Sequence, residues 1–376
     1  MGAETAELEP DAMGVERIDQ YSFEVGAIRP PSEGGSHSLL LRPTRNCSWG
    51  RCRFCYGLVY DRQKFEIRSI DEIKKDIDSA KAIADGIRAV SWQMGQAGAA
   101  SHAVASAMLR ANPGLHANHC FALVFNWLAA GARTAFLQDA NTPIMRTRDL
   151  VEVLRYLKQQ LPTLERVTSY ARSKTIAKKS LAELKELRAA GLSRLHVGLE
   201  SGDDEVLRYV DKGVTAAEQI AGGKKAKQAG FELSEYVMPD LGGRAMSDQH
   251  ARNTARVLSE IDPDFIRMRP FVASRATPLY EDYEKGTLEL SSPHQRLREL
   301  RTLIENLEVT SRVCFDHFLN AWFCDSTRRR TLFTQDYNGY KFPEQKQEVL
   351  ELIEEGLRLD ESLHLHVKDM IDLRSL

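Results

Sequence analysis

The sequence has no long apolar run, no excess of basic charge and no regular cysteine framework. No stretch of about 18 apolar residues occurs in its 376 residues, so we expect no membrane-spanning segment. The formal net charge is −2, which argues against a broad nucleic-acid-binding surface, because such surfaces show a basic excess. Residues 1–10 are acidic and lack an apolar stretch, so no secretory signal is expected. These absences predict a globular protein of the cytoplasm.

Three of the six cysteines are concentrated in nine residues. Cys47, Cys52 and Cys55 have the spacing C-x4-C-x2-C, and three thiolates so close together can hold an iron–sulfur cluster. A cluster of four irons held by three cysteines leaves one iron open, and an open position is typical of catalytic metal sites. The spacing also fits part of a zinc site with a histidine as fourth ligand. Spacing alone does not separate cluster from zinc.

From residue 38 onward, short apolar runs alternate with amphipathic helical segments. Repeated βα units predict an α/β fold with a parallel sheet, curved or closed into a barrel. Six units fall short of the eight in a full barrel, so we expect a partial (β/α)6 TIM-like barrel. Cys47 follows the first strand, at the end where such barrels carry their chemistry. The predicted strands cover residues 38–42, 134–137, 166–170, 194–199, 232–238 and 264–271.

The sequence predicts three regions along the chain, and the middle one contains an insertion. Residues 1–37 are polar and predict an N-terminal lead-in, and residues 38–290 form the partial barrel. Within the barrel, residues from about 90 to 131 are rich in Ala, Gly and His and predict a helical insertion. Residues 291–376 are charged and predict a helical C-terminal extension.

Five short motifs stand at the ends of predicted strands. They are the cysteine triplet with Phe54, followed by residues 136–141, 196–202, 238–243 and 277–280. In this order they resemble the radical S-adenosylmethionine (SAM) superfamily, in particular its coproporphyrinogen-oxidase-like and methylthiotransferase-like branches. The cysteine spacing is a variant, because that superfamily usually has C-x3-C-x2-C.

The resemblance implies an enzyme with a [4Fe-4S] cluster and S-adenosylmethionine as cofactors. Reductive cleavage of S-adenosylmethionine would give a 5′-deoxyadenosyl radical that abstracts hydrogen from a small or medium organic substrate. An electron donor such as flavodoxin or ferredoxin is implied as a partner, with no membrane and no nucleic acid expected. The alternatives are an RNA- or protein-modifying enzyme of the same superfamily and a non-catalytic cluster- or zinc-binding protein.

The resemblance also implies roles for individual residues. The three cysteines would be the cluster ligands, and Phe54 would lie under the adenine unless it is only a core aromatic. Glu200, with Ser201, would accept hydrogen bonds from the ribose hydroxyls, the alternative being a solvated loop carboxylate.

The remaining implied cofactor contacts lie after the second, third and fifth strands. Asp139 and Asn141, in a motif that also includes Gln138, would hold the methionine ammonium, unless Asn141 or Thr142 only caps the next helix. Arg172 would pair with the methionine carboxylate as a planar fork, or else form a surface ion pair. Gly242 and Gly243 permit close backbone approach to the cofactor, or serve only a turn.

Two further pairs are candidates on their own residue chemistry. Arg267 and Arg269 alternate on the sixth strand and therefore share one face. If that face points into the barrel, it suits an anionic substrate; if it points outward, it meets helices. Asp316 and His317 are candidate catalytic residues at the barrel mouth, where His317 would move a proton near neutral pH, or a helix-terminal pair in solvent.

Overall fold

The computed structural model describes residues 15–27, 37–55 and 63–372. Most of the predicted lead-in lies outside these residues, and its described part contains a short 3-10 turn at Val15–Gln20. Within the described part of the chain, no helix is both long and apolar enough to cross a bilayer.

A mostly parallel eight-stranded sheet forms the centre of the molecule, in the order β1-β4-β5-β6-β7-β8-β9-β10. Strands β1 and β4 to β9 are parallel, and β10 is antiparallel to β9. No ladder among the described residues joins β1 to β10, so the α/β fold is a partial barrel that stays open. The ten strands are β1 (Leu39–Leu41), β2 (Thr44–Arg45), β3 (Glu66–Ile67), β4 (Thr134–Leu137), β5 (Arg166–Ala171), β6 (Leu192–Glu200), β7 (Glu232–Val237), β8 (Phe265–Met268), β9 (Arg312–Cys314) and β10 (Tyr340–Lys341).

Helices follow the strands and cover the outside of the sheet. The helices of the described residues are α1 (Ile70–Gln93), α2 (His102–Ala111), α3 (His119–Ala129), α4 (Thr147–Gln160), α5 (Ser173–Lys178), α6 (Leu181–Ala190), α7 (Asp204–Tyr209), α8 (Ala216–Gln228), α9 (Ser247–Ile261), α10 (Leu279–Glu284), α11 (Pro293–Glu305) and α12 (Lys346–Arg358). All six predicted strands are present. Helices α2 and α3 lie in the region predicted as a helical insertion.

Local sequence explains where individual helices begin and end. Helix α6 starts at a capping box formed by Ser180 and Glu183, and it ends at Gly191, whose φ of 120° few other residues adopt. Helix α1 extends to Gln93, because Ile87 and Val90 continue its buried face.

The region after residue 291, predicted as a helical extension, contains helices α11 and α12 but also two short strands. Strand β9 pairs with β8 through Ile266 and Val313 and through Arg267 and Cys314, and β10 then pairs with β9. A strand of three residues is too short to show an alternating pattern, so the sequence gives little sign of it. This added strand brings Asp316 to the edge of the barrel mouth beside β8.

An aromatic layer fills the barrel below its mouth. Phe136 packs edge-on against Tyr170 with ring centroids 5.1 Å apart, and Tyr170 lies 5.8 Å from the ring of His196. His196 in turn meets Tyr236 edge-on at 5.4 Å. These rings come from β4 to β7 and form the floor on which the site is built.

Candidate active site

A cavity of about 310 Å³ opens at the carboxyl ends of β4 to β8. Pockets of this size hold small-molecule ligands in other proteins. Its wall is formed by the three clustered cysteines and by residues that directly follow or end the strands. The lining residues are Cys47, Cys52, Phe54, Cys55, Ala140, Tyr170, Ala171, Arg172, Gly198, Glu200, Lys212, Tyr236, Met238 and Arg269.

The three cysteines are free thiols on one side of this cavity. Burial raises the pKa of Cys52, which Lys212 and Arg172 act to lower. Burial, with the neighbouring thiols, raises the pKa of Cys55 to about 12. As free groups the thiols of Cys52 and Cys55 are therefore protonated at neutral pH, and binding iron requires the loss of their protons.

The thiols fit a multi-iron cluster by donor type and by setting. Cysteine thiolates are the usual ligands of iron–sulfur clusters, and Lys212 and Arg172 supply positive charge beside them. Over residues 15–27, 37–55 and 63–372, no three His, Cys, Asp or Glu side chains converge on the position of a single metal ion. In a four-iron cluster each thiolate binds a different iron, so such convergence is not required.

The cysteine loop is fixed by contacts with the loops after β6 and β8. The backbone N–H of Arg53 donates to the carbonyl of Val210 at 2.9 Å. The Arg53 guanidinium donates to both carboxylate oxygens of Asp282 at 2.9 Å, and the hydroxyl of Tyr209 donates to the same carboxylate at 2.8 Å. A bidentate pair fixes orientation as well as position, so Cys52 and Cys55 are held toward the cavity.

Trp49 joins the same loop to the segment after β6. Its indole Nε1 donates to the carbonyl of Asp211 at 2.7 Å. The guanidiniums of Arg51 and Arg172 lie over its ring at 4.9 and 5.1 Å. Gly213, with φ of 68°, lies so close to the ring that a Cβ there would overlap it. Glycine is therefore required at position 213 for the loop to dock.

Glu200 and Lys212 form a buried ion pair on the cavity wall. Glu200 Oε1 and Lys212 Nζ are 2.9 Å apart, and both side chains are largely buried. Burial acts to lower the pKa of Lys212, but Glu200 and Cys52 raise it, so the ammonium stays charged. The carboxylate folds over Gly198, where a Cβ would overlap Glu200 Oε1. The Lys212 ammonium also lies 5.4 Å from the centre of the Phe54 ring.

Gln138 and Asp139, from the motif proposed to contact the methionine group, instead bind other parts of the protein. Gln138 exchanges hydrogen bonds with the backbone of Gly26, at 2.8 and 3.1 Å. Asp139 is fully buried and accepts from the Arg42 guanidinium at 2.7 and 3.0 Å and from the backbone N–H of Asn46 at 2.7 Å. Neither residue lines the cavity.

Asn141 links the cysteine loop to β5. Its side-chain amide donates to the hydroxyls of Ser48 and Thr175 at 3.0 and 2.9 Å, and its carbonyl accepts from the backbone N–H of Arg172 at 3.1 Å. It makes no side-chain cap to the 3-10 turn that follows. The capping alternative is therefore wrong, and Asn141 positions Arg172 at the cavity.

Ser201 and the two glycines lie behind the cavity wall. The Ser201 hydroxyl is 2.8 Å from His250 Nδ1 and accepts from the backbone N–H of Asp203 at 3.0 Å. A Cβ at Gly242 would press on Val206, and Gly243 takes φ of 60° beside Leu288. These residues shape the turns after β6 and β7 and do not line the cavity.

Asp316 and the two arginines meet where β8 and β9 end. The shared face of Arg267 and Arg269 points into the barrel, and both guanidiniums donate to the Asp316 carboxylate, at 2.9 Å and at 3.1 to 3.3 Å. Arg269 lines the cavity, whereas Arg267 is fully buried beneath it. The solvent alternative for Asp316 is wrong, because its side chain is inaccessible.

His317 follows Asp316 but does not line the cavity. Its Nδ1 accepts from the backbone N–H of Leu319 at 3.3 Å, and its ring packs on Phe318. Burial and the nearby Arg269 lower the pKa of His317 to about 4. The expectation that His317 exchanges a proton near neutral pH is therefore wrong, since the imidazole is neutral there.

Residues 128–256 match the sequence profile of the Radical SAM superfamily. The match covers about a third of the chain, and over these residues it identifies a radical SAM domain. The resemblance read from the motifs is thereby confirmed, and with it the enzyme class and its cofactors, a [4Fe-4S] cluster and S-adenosylmethionine. The matched residues cover β4 to β7 and their loops but not the three cysteines, whose role rests on the geometry of the cavity.

Curated relatives of the radical SAM domain match over part of their length. Elongator complex protein 3 of Danio rerio is 25% identical over 152 residues, which are 39% of this chain and 26% of the relative. The tRNA uridine(34) acetyltransferase of Methanocaldococcus jannaschii is 24% identical over 105 residues, 28% of this chain and 19% of the relative. Heme chaperone HemW of Bacillus subtilis is 21% identical over 179 residues, 47% of this chain and 46% of the relative. The chain thus spans from a fifth to about half the length of these relatives.

The solved structures that align with this chain include methylornithine synthase (PylB). It aligns with a TM-score of 0.42 and 16% identity, over 82% of this chain and 72% of that chain.

Sequence reasoning missed several residues on the wall of the radical SAM cavity. Lys212 lies shortly after the motif at residues 196–202. Its place after that motif was the only feature of the sequence that indicated a role in the site. Tyr170 and Tyr236 are the next-to-last residues of β5 and β7, and Met238 follows β7. All three line the cavity, but aromatic and apolar residues in or beside strands most often belong to the core. Only the pairing of β5 with β6, and of β6 with β7, shows that these side chains face the cavity and not the core.

Proposed function

We propose that this chain cleaves S-adenosylmethionine reductively and uses the resulting radical on a small or medium organic substrate. One observation carries the proposal: the three cysteines and the Glu200–Lys212 pair line a single cavity at the carboxyl ends of the strands. A passive metal-binding module has no use for a cavity of this size beside its thiols. This favours an enzyme over a non-catalytic cluster- or zinc-binding protein.

The chemistry of the bound cofactors is simple to state. One electron delivered to S-adenosylmethionine at a [4Fe-4S] cluster releases methionine and a 5′-deoxyadenosyl radical, which takes a hydrogen atom from the substrate. The protein binds, orients and shields these groups.

On this proposal the chain's residues divide the work of binding. Cys47, Cys52 and Cys55 hold three irons. Glu200 accepts hydrogen bonds from the ribose hydroxyls, and its 2.9 Å contact with Lys212 fixes the direction of the carboxylate. Arg172 donates to the methionine carboxylate from its position over Trp49.

Phe54 covers the cluster side of the cavity and keeps water from it. The contacts described for Gln138, Asp139, Asn141 and Ser201 support a positioning role for these residues instead of direct cofactor contact. Gly242 and Gly243 belong with them, as close-packed turn residues.

The size and charge of the cavity support a small-molecule substrate. The cavity of about 310 Å³ is at the small end of ligand pockets, and the chain's net charge of −2 does not favour a nucleic acid. The named relatives include a tRNA acetyltransferase, so RNA modification is the second candidate. A cytoplasmic location and an electron donor such as flavodoxin or ferredoxin complete the proposal.

The experiment is anaerobic reconstitution with iron and sulfide, followed by S-adenosylmethionine and a chemical reductant. We expect 5′-deoxyadenosine and methionine in equal amounts, detected by chromatography. Stoichiometric zinc without iron uptake, or iron uptake without 5′-deoxyadenosine, contradicts the proposal. Titration with total tRNA at physiological salt separates the two substrate classes, since the small-molecule proposal predicts only weak, salt-sensitive binding.

A further inference from the structure

Two arginines in the barrel share one carboxylate. Arg267 donates to Asp316 Oδ2 at 2.9 Å, and Arg269 donates to Oδ1 at 3.1 Å and to Oδ2 at 3.3 Å. The exposed fractions of the side chains are 1% for Arg267, 15% for Arg269 and zero for Asp316. The group therefore has two cations and one anion in a nearly water-free place.

The groups around this cluster do not neutralise it. Burial opposes ionisation of Asp316, but the two arginines lower its pKa, so it contributes one negative charge only. Burial raises the pKa of Cys314 to about 12 and lowers that of His317 to about 4, so both are neutral. The cluster retains one net positive charge, and a buried charge without a partner is costly.

The hydrogen bonds of Arg269 leave one edge of its guanidinium for a ligand. Nη1 donates to the carbonyl of Met268 and to Asp316, and Nη2 donates to Asp316. Asp316 thus occupies the end formed by Nη1 and Nη2. The adjacent edge, formed by Nε and the second N–H of Nη2, makes no hydrogen bond with the described residues. Such an edge presents two parallel N–H groups and matches a carboxylate or phosphate.

Arg269 lies at the substrate side of the cavity. Its guanidinium is 5.0 Å from the centre of the Tyr236 ring, on the wall formed by β7 and β8. At the other end, the cations that act most strongly on Cys52 are Lys212 and Arg172. The methionine group of the cofactor therefore has its own positive charges beside the cysteines, and Arg269 is left for a second ligand.

We propose that Arg269 binds an oxyanion of the substrate, a carboxylate or a phosphate, at this wall of the cavity. The inference rests on the proposed function, because the ligand is the substrate that shares the cavity with S-adenosylmethionine. Asp316 and Arg267 are positioning residues that orient the Arg269 guanidinium from below.

The test measures binding of simple anions by isothermal titration calorimetry. The protein is the full chain with its cluster reconstituted and saturated with S-adenosylmethionine, without reductant and at constant ionic strength. The probes are succinate and inorganic phosphate, with succinamide as the neutral analogue. We expect at least one of the two anions to bind tenfold or more tightly than succinamide, and the preferred anion identifies carboxylate or phosphate.

Three variants assign the binding to Arg269. Arg269→Gln should lose about tenfold or more in anion affinity, and Arg269→Lys should lose about threefold because the charge remains but the fork is gone. Arg275→Gln is the matched control, since Arg275 also lies over a tyrosine and pairs with an aspartate, but on the exposed surface. It should change the affinity less than twofold. Where Arg269→Gln does not fold, as judged by circular dichroism, the lysine variant carries the test.

Three results overturn the inference. They are equal affinities for the anions and succinamide, unchanged anion affinity in the Arg269 variants, and anion binding that a parallel titration without S-adenosylmethionine detects but that disappears when S-adenosylmethionine saturates the protein. The last result would assign Arg269 to the cofactor. Formation of 5′-deoxyadenosine by the unmodified protein from the same preparation separates this failure from failure of the proposed function.

Discussion

The two ends of the cavity carry different kinds of charge. At the cysteine end, positive charges stand beside groups that are or become negative: Lys212 beside Glu200, and Arg172 near Cys52. At the β8 end, Arg269 and Arg267 share a single carboxylate, and the neighbouring thiol and imidazole are neutral. At the cysteine end the positive and negative charges cancel once thiolates form, whereas the β8 end keeps an excess of positive charge.

This difference suggests that the cavity is built for two ligands. A balanced end suits a cofactor whose own charges are held by matching groups, and an end with excess positive charge suits an anion brought from solution. The aromatic floor of Tyr170, His196 and Tyr236 runs under both ends. The proposed cofactor and substrate positions are therefore distinguished by charge more than by shape.

Removing a cysteine ligand should have the largest effect. Cys52→Ala should abolish both iron–sulfur absorbance and 5′-deoxyadenosine formation, because two thiolates do not retain a four-iron cluster. Cys47→Ala and Cys55→Ala should behave alike. Cys324→Ala is the control, since Cys324 is a free thiol that lies outside the cavity.

Iron content and product are measured on the same reconstituted samples. Full activity in any one of the three ligand variants would remove that cysteine from the cluster. Loss of iron in Cys324→Ala would contradict the assignment of Cys47, Cys52 and Cys55 as the cluster ligands.

Breaking the ion pair at the cysteine end should weaken the binding of S-adenosylmethionine without removing the cluster. Glu200→Ala should lower S-adenosylmethionine affinity by about 1–3 kcal/mol, roughly 5- to 150-fold, because its hydrogen-bond partners are left unpaired. Equilibrium dialysis on the reconstituted protein measures the affinity. Glu260→Ala removes an exposed partner of Lys224 and should have no effect. Unchanged affinity in a folded Glu200→Ala protein argues against the ribose role.

A buried acid pair behind the turn after β7 should make stability depend on pH. Burial raises the pKa of Asp240 and that of Glu299 to about 7, and the Asp240 backbone N–H donates to Glu299 at 2.6 Å. The folded state therefore holds protons that the unfolded chain has released. Stability is fully present below the unfolded values near 4 and falls as pH rises through about 7.

Replacing one acid of this pair should remove part of that dependence. Glu299→Gln should raise the free energy of unfolding at pH 8, relative to the unmodified chain, by about 1–2 kcal/mol and change it less at pH 5. Urea unfolding at the two pH values measures it. Glu289→Gln, at an exposed carboxylate paired with Arg244, is the control. A gain at pH 5 as large as that at pH 8 would contradict the account.

His317 should have the smallest effect, although it stands beside the arginine end. With its pKa lowered to about 4, the ring stays neutral from pH 5.5 to 8.5. Its ring protons in a nuclear magnetic resonance titration should therefore not shift over that range. A midpoint near 6.5 would show that the β8 end is more open to water than its burial implies.

The order of strands could be read from the sequence, but the shape of the site only in part. Six strands were found because each is a compact apolar run between helical segments, and Glu200 was found because it follows such a run. Strand β9 was missed because three residues carry no period. Asp139 and Ser201 follow strands too, yet Arg42 and His250 hold them away from the cavity.

Arg42 and His250 lie 97 and 49 residues away along the chain from these partners, so no local sequence pattern indicates the contacts. The same holds for the pairing of Arg269 with Asp316. The alternation of Arg267 and Arg269 predicted a shared face, but the direction of that face depends on the packing of β8 between β7 and β9. Tertiary contacts decide which polar residues at strand ends reach the ligand.

The most direct test of the central claim is electron paramagnetic resonance of the reduced, reconstituted protein before and after S-adenosylmethionine is added. Three cysteines beside a cavity with Glu200 and Lys212 predict a reduced [4Fe-4S] signal, with about four irons per chain, that changes when the cofactor binds. A signal that S-adenosylmethionine leaves unaltered, or a protein that takes up zinc in place of iron, would contradict the claim.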